Sequence, residues 1–172
     1  FIFNEFNTLV LRGVIGGGLA YGNSTVLPFE KSFFSGGANS IRAWKIYSLG
    51  PGAYRDTINL NKTGDINLEG NIEYRFPIYR YLKGAFFIDV GNTWVNKKNP
   101  LMPDAEFKIK RFYKEIAIGT GFGARFDFSF FILRVDMAIP LRDPSKTGSG
   151  KWLFNDLSSQ SVNFNLGIGY PF

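Results

Sequence analysis

Cysteine and histidine are both absent from this 172-residue sequence. The first absence excludes a disulfide framework and thiol chemistry. The second removes the commonest general base and a common metal ligand. No run of about 18 apolar residues occurs, so no membrane-spanning helix is encoded. The net charge of +6 is dispersed along the chain. Its one local cluster, Lys108-Ile109-Lys110-Arg111, reads as a solvated loop end rather than a nucleic-acid surface, and no nucleic-acid partner is expected. The chain opens on Phe1-Ile2-Phe3 without an initiator Met and is expected to belong to a longer protein.

Aromatic residues and glycine are abundant instead. Phe occurs 19 times and Gly 20, a mix that suits pleated strands joined by tight turns and argues against a helical bundle. The length fits one domain or part of one. Hydrophobic alternation picks out the strands. In Ile66–Phe76 every odd-numbered residue is polar and every even-numbered one is apolar or Gly, and Ile78 continues the apolar face. Phe6–Gly22 alternates through Leu9, Leu11, Ile15, Leu19 and Tyr21, with a bend or bulge expected at Gly16-Gly17-Gly18. Gly84–Val95 separates Phe86, Ile88 and Val90 from Phe87, Asp89 and Gly91. Phe112–Phe128 sets Ile116, Ile118, Phe122 and Phe126 against Glu115, Gly119, Gly121, Gly123, Arg125 and Asp127. Phe131, Leu133, Val135, Met137 and Ile139 oppose Arg134 and Asp136. The last strand is expected to run from Val162 to the final residue, with Tyr170 and Phe172 on its apolar face and Asn163, Asn165, Gly167 and Gly169 opposite.

These are six antiparallel strands whose connections alternate long, short, long, short, long. Outer-membrane barrels show that asymmetry, with long extracellular loops and short periplasmic turns. The turns near Tyr81 and Ser129, and the C-terminus, are then periplasmic. Phe76, Tyr79, Tyr81, Phe126, Phe128, Phe130, Phe131, Tyr170 and Phe172 crowd that end as an interfacial girdle. A soluble sandwich or lipocalin-like barrel also alternates; strand length, loop asymmetry and the girdle favour the membrane barrel. One orientation of Ile66–Phe76 turns Glu69, Glu73 and Arg75 into the lumen, the other into lipid. An Arg at the bilayer midplane costs about 2–4 kcal/mol, so the apolar face is the outer one. Six strands fall short of the roughly eight of the smallest single-chain barrels, and an open edge in lipid leaves backbone groups unsatisfied. Residues 1–172 are therefore expected to be the C-terminal part of a larger barrel domain.

The first long connection, from Asn23 to about Gly64, holds a stretch that reads as neither strand nor turn. Phe33-Phe34-Ser35-Gly36-Gly37-Ala38-Asn39-Ser40-Ile41-Arg42-Ala43-Trp44, followed by Leu49-Gly50-Pro51-Gly52, resembles the long sixth extracellular loop of the BamA/TamA family of outer-membrane protein-assembly barrels. The family pattern is an aromatic, Gly-Gly, a hydrophobic-Arg-Gly-aromatic tetrad, then Gly-Pro. Asn71-Ile72-Glu73-Tyr74-Arg75-Phe76-Pro77 resembles the family's acidic strand, and Phe86–Trp94 its aromatic-x-Asp-x-Gly strand. Asn165-Leu166-Gly167-Ile168-Gly169-Tyr170-Pro171-Phe172 resembles the C-terminal β-signal read by the assembly machine, although an ordinary amphipathic last strand alternates in the same way. The resemblance covers about residues 6 to 172, and the motif wording is closer to the TamA-like branch.

The resemblance implies an all-β fold, the last six strands of an antiparallel transmembrane β-barrel of about sixteen. It also implies a loop folded into the lumen and locked there by Arg42. The residues allow this. Arg42 presents a fork of donors suited to a carboxylate, Glu73 and Asp89 are lumen-facing acids on adjacent strands, and Phe87 offers an aromatic face. Trp44, Gly36 and Gly37 complete the expected lock; the other reading of Arg42 is a solvated loop charge. One residue departs from the family: Ala43 stands where Gly is usual, and would be strained if that position needs φ > 0. Gly119-Thr120-Gly121-Phe122-Gly123 mimics a phosphate loop but sits mid-strand with no following helix or Lys-Ser/Thr. No catalytic residue, metal set or cofactor is expected, and the chain is not read as an enzyme.

By the same resemblance, the protein inserts or translocates outer-membrane or secreted polypeptides by strand pairing at a lateral seam in a bacterial-type outer membrane. Gly167, Gly169 and Pro171 weaken pairing at the last strand, though an ordinary strand end looks similar. The implied partners are the lipid bilayer, substrate polypeptides and a periplasmic or inner-membrane protein. The alternatives are a dedicated secretion barrel, a barrel fused to a passenger domain, and a passive porin.

Overall fold

The computed structural model describes residues 7–24, 26–55, 62–153 and 162–172. Among them six strands form one antiparallel sheet in sequence order: β1 (Thr8–Gly17), β2 (Ile66–Tyr79), β3 (Leu82–Trp94), β4 (Ala117–Asp127), β5 (Ile132–Arg142) and β6 (Asn163–Ile168). Among the described residues the connections carry short 3-10 turns, at Phe29–Lys31, Phe112–Lys114 and Gly148–Lys151. No described helix is long and apolar enough to cross a membrane. The two tight turns need left-handed backbone at Arg80 (φ 41°) and Ser129 (φ 69°), which is how so few residues reverse the chain.

The period of two decides what each face meets. On the outer face Ile72 pairs with Leu11 on one side and Ile88 on the other, and all three are exposed. Thr120 is the polar exception on the outer side of β4, and its hydroxyl donates to the Phe87 carbonyl at 2.7 Å, so it presents no unsatisfied group to lipid. Toward one end the outer rings stack: Tyr74 on Phe76 at 5.9 Å, Phe76 on Phe86 at 5.5 Å, and Tyr81 on Phe128 at 5.8 Å.

On the inner face the register lines up polar groups and glycines in rows. One row runs Glu73, Phe87, Gly121, Ala138, Asn163. A neighbouring row runs Arg12, Asn71, Asp89, Gly119. Another runs Arg75, Ala85, Gly123, Asp136, Asn165. The acids on β2 and β3 thus face glycine-lined ground on β4.

Three strands differ from the alternation pattern. β1 stops at Gly17 rather than Gly22, and its register with β2 is unbroken through Gly16 and Gly17, with no bulge; Phe6 lies outside the described residues. The glycines there give room instead: a Cβ at Gly16 would lie 2.6 Å from Phe33, and one at Gly18 2.5 Å from Leu27. β4 begins at Ala117 rather than Phe112, because Phe112 joins Trp94 and Phe107 in an aromatic cap beyond the strand end. β6 ends at Ile168 rather than Phe172. Gly169 N–H still donates to Ile132 O at 2.7 Å, but its φ of 84° turns the chain out of the sheet from there. Tyr170 and Phe172 therefore leave the expected girdle. Tyr170 lies 4.0 Å under the Arg75 guanidinium, and the Phe172 ring sits 5.8 Å from those of Arg12 and Arg42.

Ile72 sits at the middle of β2 on the outer face. Ile72→Arg is expected to destabilise the folded barrel by about 2–4 kcal/mol, read by denaturant unfolding of the full-length protein in lipid vesicles; Ile72→Leu should be close to neutral.

Candidate functional site

The long connection between β1 and β2 does not stay outside. Its central stretch folds onto the inner face of the sheet, where Ile41, Arg42, Ala43 and Leu49 are buried. Two glycines make the fold-back: Gly36 (φ 101°) and Gly37 (φ 94°) lie in a region that L side chains avoid. The Gly37 N–H then donates to Trp44 O at 2.7 Å, closing the turn that carries the arginine. Ser40 fixes the turn to the wall through its hydroxyl, 2.6 Å from Glu69 Oε1, and its carbonyl accepts from Asn71 Nδ2 at 2.9 Å.

Arg42 has no exposed surface, and neither do Glu73 and Asp89. Its Nε and Nη2 donate to the two oxygens of Asp89, both at 2.9 Å, a bidentate pairing. Its Nη1 reaches Glu73 Oε2 at 2.6 Å, and its backbone N–H also donates to Asp89 at 3.0 Å. The guanidinium carbon stands 3.4 Å over the Phe87 ring. β2 supplies one acid and β3 supplies the other acid and the ring, as their register requires. A buried charge is tolerable only when paired and hydrogen-bonded, and here each of the three guanidinium nitrogens donates to a carboxylate oxygen. The pairing extends outward. Arg125 bridges Glu73 (3.1 Å) and Asp136, Arg75 holds the second oxygen of Glu73 at 2.7 Å, and Arg134 Nε lies 3.2 Å from Asp136.

Ala43 has an ordinary negative φ, so this position asks for no glycine on conformational grounds. Its methyl packs with Phe87 and Ala138, with Trp44 alongside. The space for it comes from the wall: a Cβ at Gly119 would fall 2.5 Å from the Ala43 Cβ and 3.4 Å from the Trp44 ring. Gly121, Gly123 and Gly167 serve in the same way beside Phe87, Arg125 and Arg134.

At its far end the loop is pinned beneath the next connection. Gly52 N–H donates to Thr93 O at 2.7 Å, Ala53 N–H to Asp104 O at 3.0 Å, and Asn92 Nδ2 reaches Gly52 O at 2.8 Å and Glu115 O at 2.6 Å. Trp94 Nε1 donates to Glu115 Oε2 at 2.7 Å. Burial pushes the Glu115 carboxyl above its usual range, against the opposing pull of Trp94 and Arg111.

The structure thus brings together Arg42, Glu73, Asp89 and Phe87, with Gly36, Gly37 and Trp44 shaping the turn that presents Arg42. The C-terminal group divides. Asn165 and Gly167 lie on the inner face of β6, while Tyr170, Pro171 and Phe172 lie past its end. Composition and alternation did not single out Ser40, Asn71 or Asn163 as links between the loop and the wall. Ser40 bonds the wall through its hydroxyl and the two asparagine amides donate to loop carbonyls, and such neutral groups leave no pattern of charge or hydrophobicity in a sequence.

The profile of the Omp85 superfamily domain matches residues 1–172, the full length of the sequence. The chain belongs to the Omp85 superfamily. The outer membrane protein assembly factor BamA of Neisseria meningitidis serogroup B is 29% identical to it over 96 residues. That match takes in 52% of this chain but 12% of the relative, so the chain corresponds to a small part of that protein's length. The sheet is accordingly part of a bacterial outer-membrane β-barrel of the Omp85 type, and the chain is not an enzyme.

Substitutions at Arg42, Gly119 and Ala43 probe this Omp85 wall. Arg42→Ala leaves Glu73 with Arg75 and Arg125 and Asp89 with Asn71 and one backbone N–H, and is expected to cost about 3–5 kcal/mol, measured by the unfolding midpoint in lipid; Arg42→Lys should recover only part, since it keeps the charge but not the fork. Gly119→Ala should destabilise by about 1–3 kcal/mol through overpacking. Adding Ala43→Gly should restore most of that loss, giving a coupling energy well above zero in a double-mutant cycle.

Proposed function

We propose that this Omp85 chain is the C-terminal part of a barrel that inserts or translocates outer-membrane or secreted polypeptides, with β6 as the strand of a lateral seam at which substrate strands pair. The observation that carries the reading is the state of β6. It has six residues against eleven in β5, and its ladder to β5 stops where Gly169 takes φ 84°. A strand held to its neighbour over so short a ladder is a weak point at which another strand can pair by main-chain hydrogen bonds. The name of the meningococcal relative, an assembly factor, supports the same role.

In this reading Arg42, Glu73, Asp89 and Phe87 form the lock that keeps the loop seated, with Gly36, Gly37 and Trp44 as its frame. Asn165, Gly167, Tyr170, Pro171 and Phe172 form the C-terminal signal and the seam. The tight turns and the C-terminus face the periplasm, where a periplasmic or inner-membrane partner would dock. The wording of the loop motif favours the TamA-like branch. A loop packed against the inner wall, with Arg42, Glu73 and Asp89 shut off from solvent, supports assembly over passive diffusion.

Photo-crosslinkers placed on the outer face of β6 at Phe164 or Leu166 in the full-length protein test the seam in cells. Capture of a nascent outer-membrane protein from β6, and not from Phe86 in the middle of the sheet, is the expected result. Equal capture from all three positions would sink the seam.

A further inference from the structure

β6 bonds to β5 along one side, and its inner face carries Asn163, Asn165 and Gly167. Neither asparagine amide stays with the sheet. Asn163 Nδ2–H donates to the Ala43 carbonyl, and Asn165 Nδ2–H to the Arg42 carbonyl at 2.9 Å. The acceptors are consecutive backbone groups of the seated loop, at the residue that carries the buried guanidinium. The donors of Arg42 are directed at Glu73 and Asp89 on β2 and β3. Its carbonyl points the other way, and β6 satisfies it. Beside these bonds Gly167 leaves the space that Arg134 fills, and Arg134 Nη2 donates to Asn39 Oδ1 at 2.8 Å and to Ala38 O at 3.1 Å. One loop turn is therefore held by the acids at the middle of the sheet and by amides at its edge.

We propose that Asn163 and Asn165 are positioning residues that latch the edge strand to the seated loop, so that β6 leaves β5 only as the loop lets go, and the loop is loosened whenever β6 moves. The acceptors are main-chain carbonyls in a buried turn. Losing their donors leaves them unpaired, and that penalty is shared by both elements rather than borne by either alone. Coupling of this kind is reciprocal: whatever frees one partner must favour release of the other by the same factor. The proposal rests on the seam reading only where it calls β6 the strand that moves; the latch itself rests on the bonds.

The test uses the full-length protein in lipid nanodiscs, with amide hydrogen exchange resolved along β6 and limited proteolysis of the 33–52 loop. The paired variant Asn163→Leu/Asn165→Leu keeps side-chain bulk and removes both donors. It is expected to speed exchange in β6 and cleavage of the loop together, each by about tenfold, with exchange in β2 and β3 unchanged. Arg42→Ala, which frees the loop from the other side, should speed exchange in β6 as well. Asn165→Ser, which retains a donor, should lie nearer the wild type. Should the paired variant fail to insert, Asn165→Leu alone is read in the same way. Faster exchange in β6 with the loop as protected as in the wild type would overturn the latch, as would Arg42→Ala leaving β6 unchanged. No substrate enters either measurement, so failure of the latch and failure of the seam are separate results.

Discussion

The guanidinium of Arg42 has been taken fully out of water, and the interior of the sheet is arranged around that fact. A cation so placed needs opposite charge from more than one direction. Asp89 meets it edge-on, Glu73 meets it from the neighbouring strand, and Asp136 stands 3.7 Å off on β5. Each acid in turn has a second obligation. Glu73 is shared with Arg75 and Arg125, Asp136 with Arg125 and Arg134, and Asp89 with Asn71. The result is a polar interior in which positive and negative groups alternate, and the loop contributes the central member.

The glycines of β4 belong to the same arrangement. A sheet lined with ordinary side chains would hold the loop away from the wall, and the arginine could not reach the acids. Gly119, Gly121 and Gly123 remove the side chains along the strand that faces the loop, and Ala43, Phe87 and Arg125 occupy the space. Glycine weakens a strand by lost packing and greater chain entropy; here the packing is returned by another part of the chain.

Much of this was readable from the residues in order. The fault-free alternation of Ile66–Phe76 assigned inner and outer faces, because lipid and a filled lumen penalise the wrong side chain so heavily. Glu73, Asp89 and Phe87 fell on one face by the same rule. Strand ends were less legible. Phe112 alternates correctly with its neighbours, yet packs with Trp94 and Phe107, a choice made by residues far along the chain. Gly169 ends β6 although Tyr170 and Phe172 keep the period, since a left-handed residue breaks a ladder that hydrophobicity alone would continue. The puzzle of Ala43 could not be solved from its own position at all. Its answer lies at Gly119, on the strand that register sets beside Asp89.

The turn bearing Arg42 touches every strand of the sheet: Arg12 of β1 through Asn39, the acids of β2 and β3, Gly119 of β4, Arg134 of β5 and the asparagines of β6. Those partners are spread widely in sequence, and the bonds to β6 close across 120 and 123 residues. Contacts of such separation form late, because the closure entropy of the intervening chain must be met before they return anything. Two of the loop's bonds therefore wait on the pairing of β6. Until β6 is in place the turn lacks two of its partners, and the chain carries within its own topology a signal that this strand has been added.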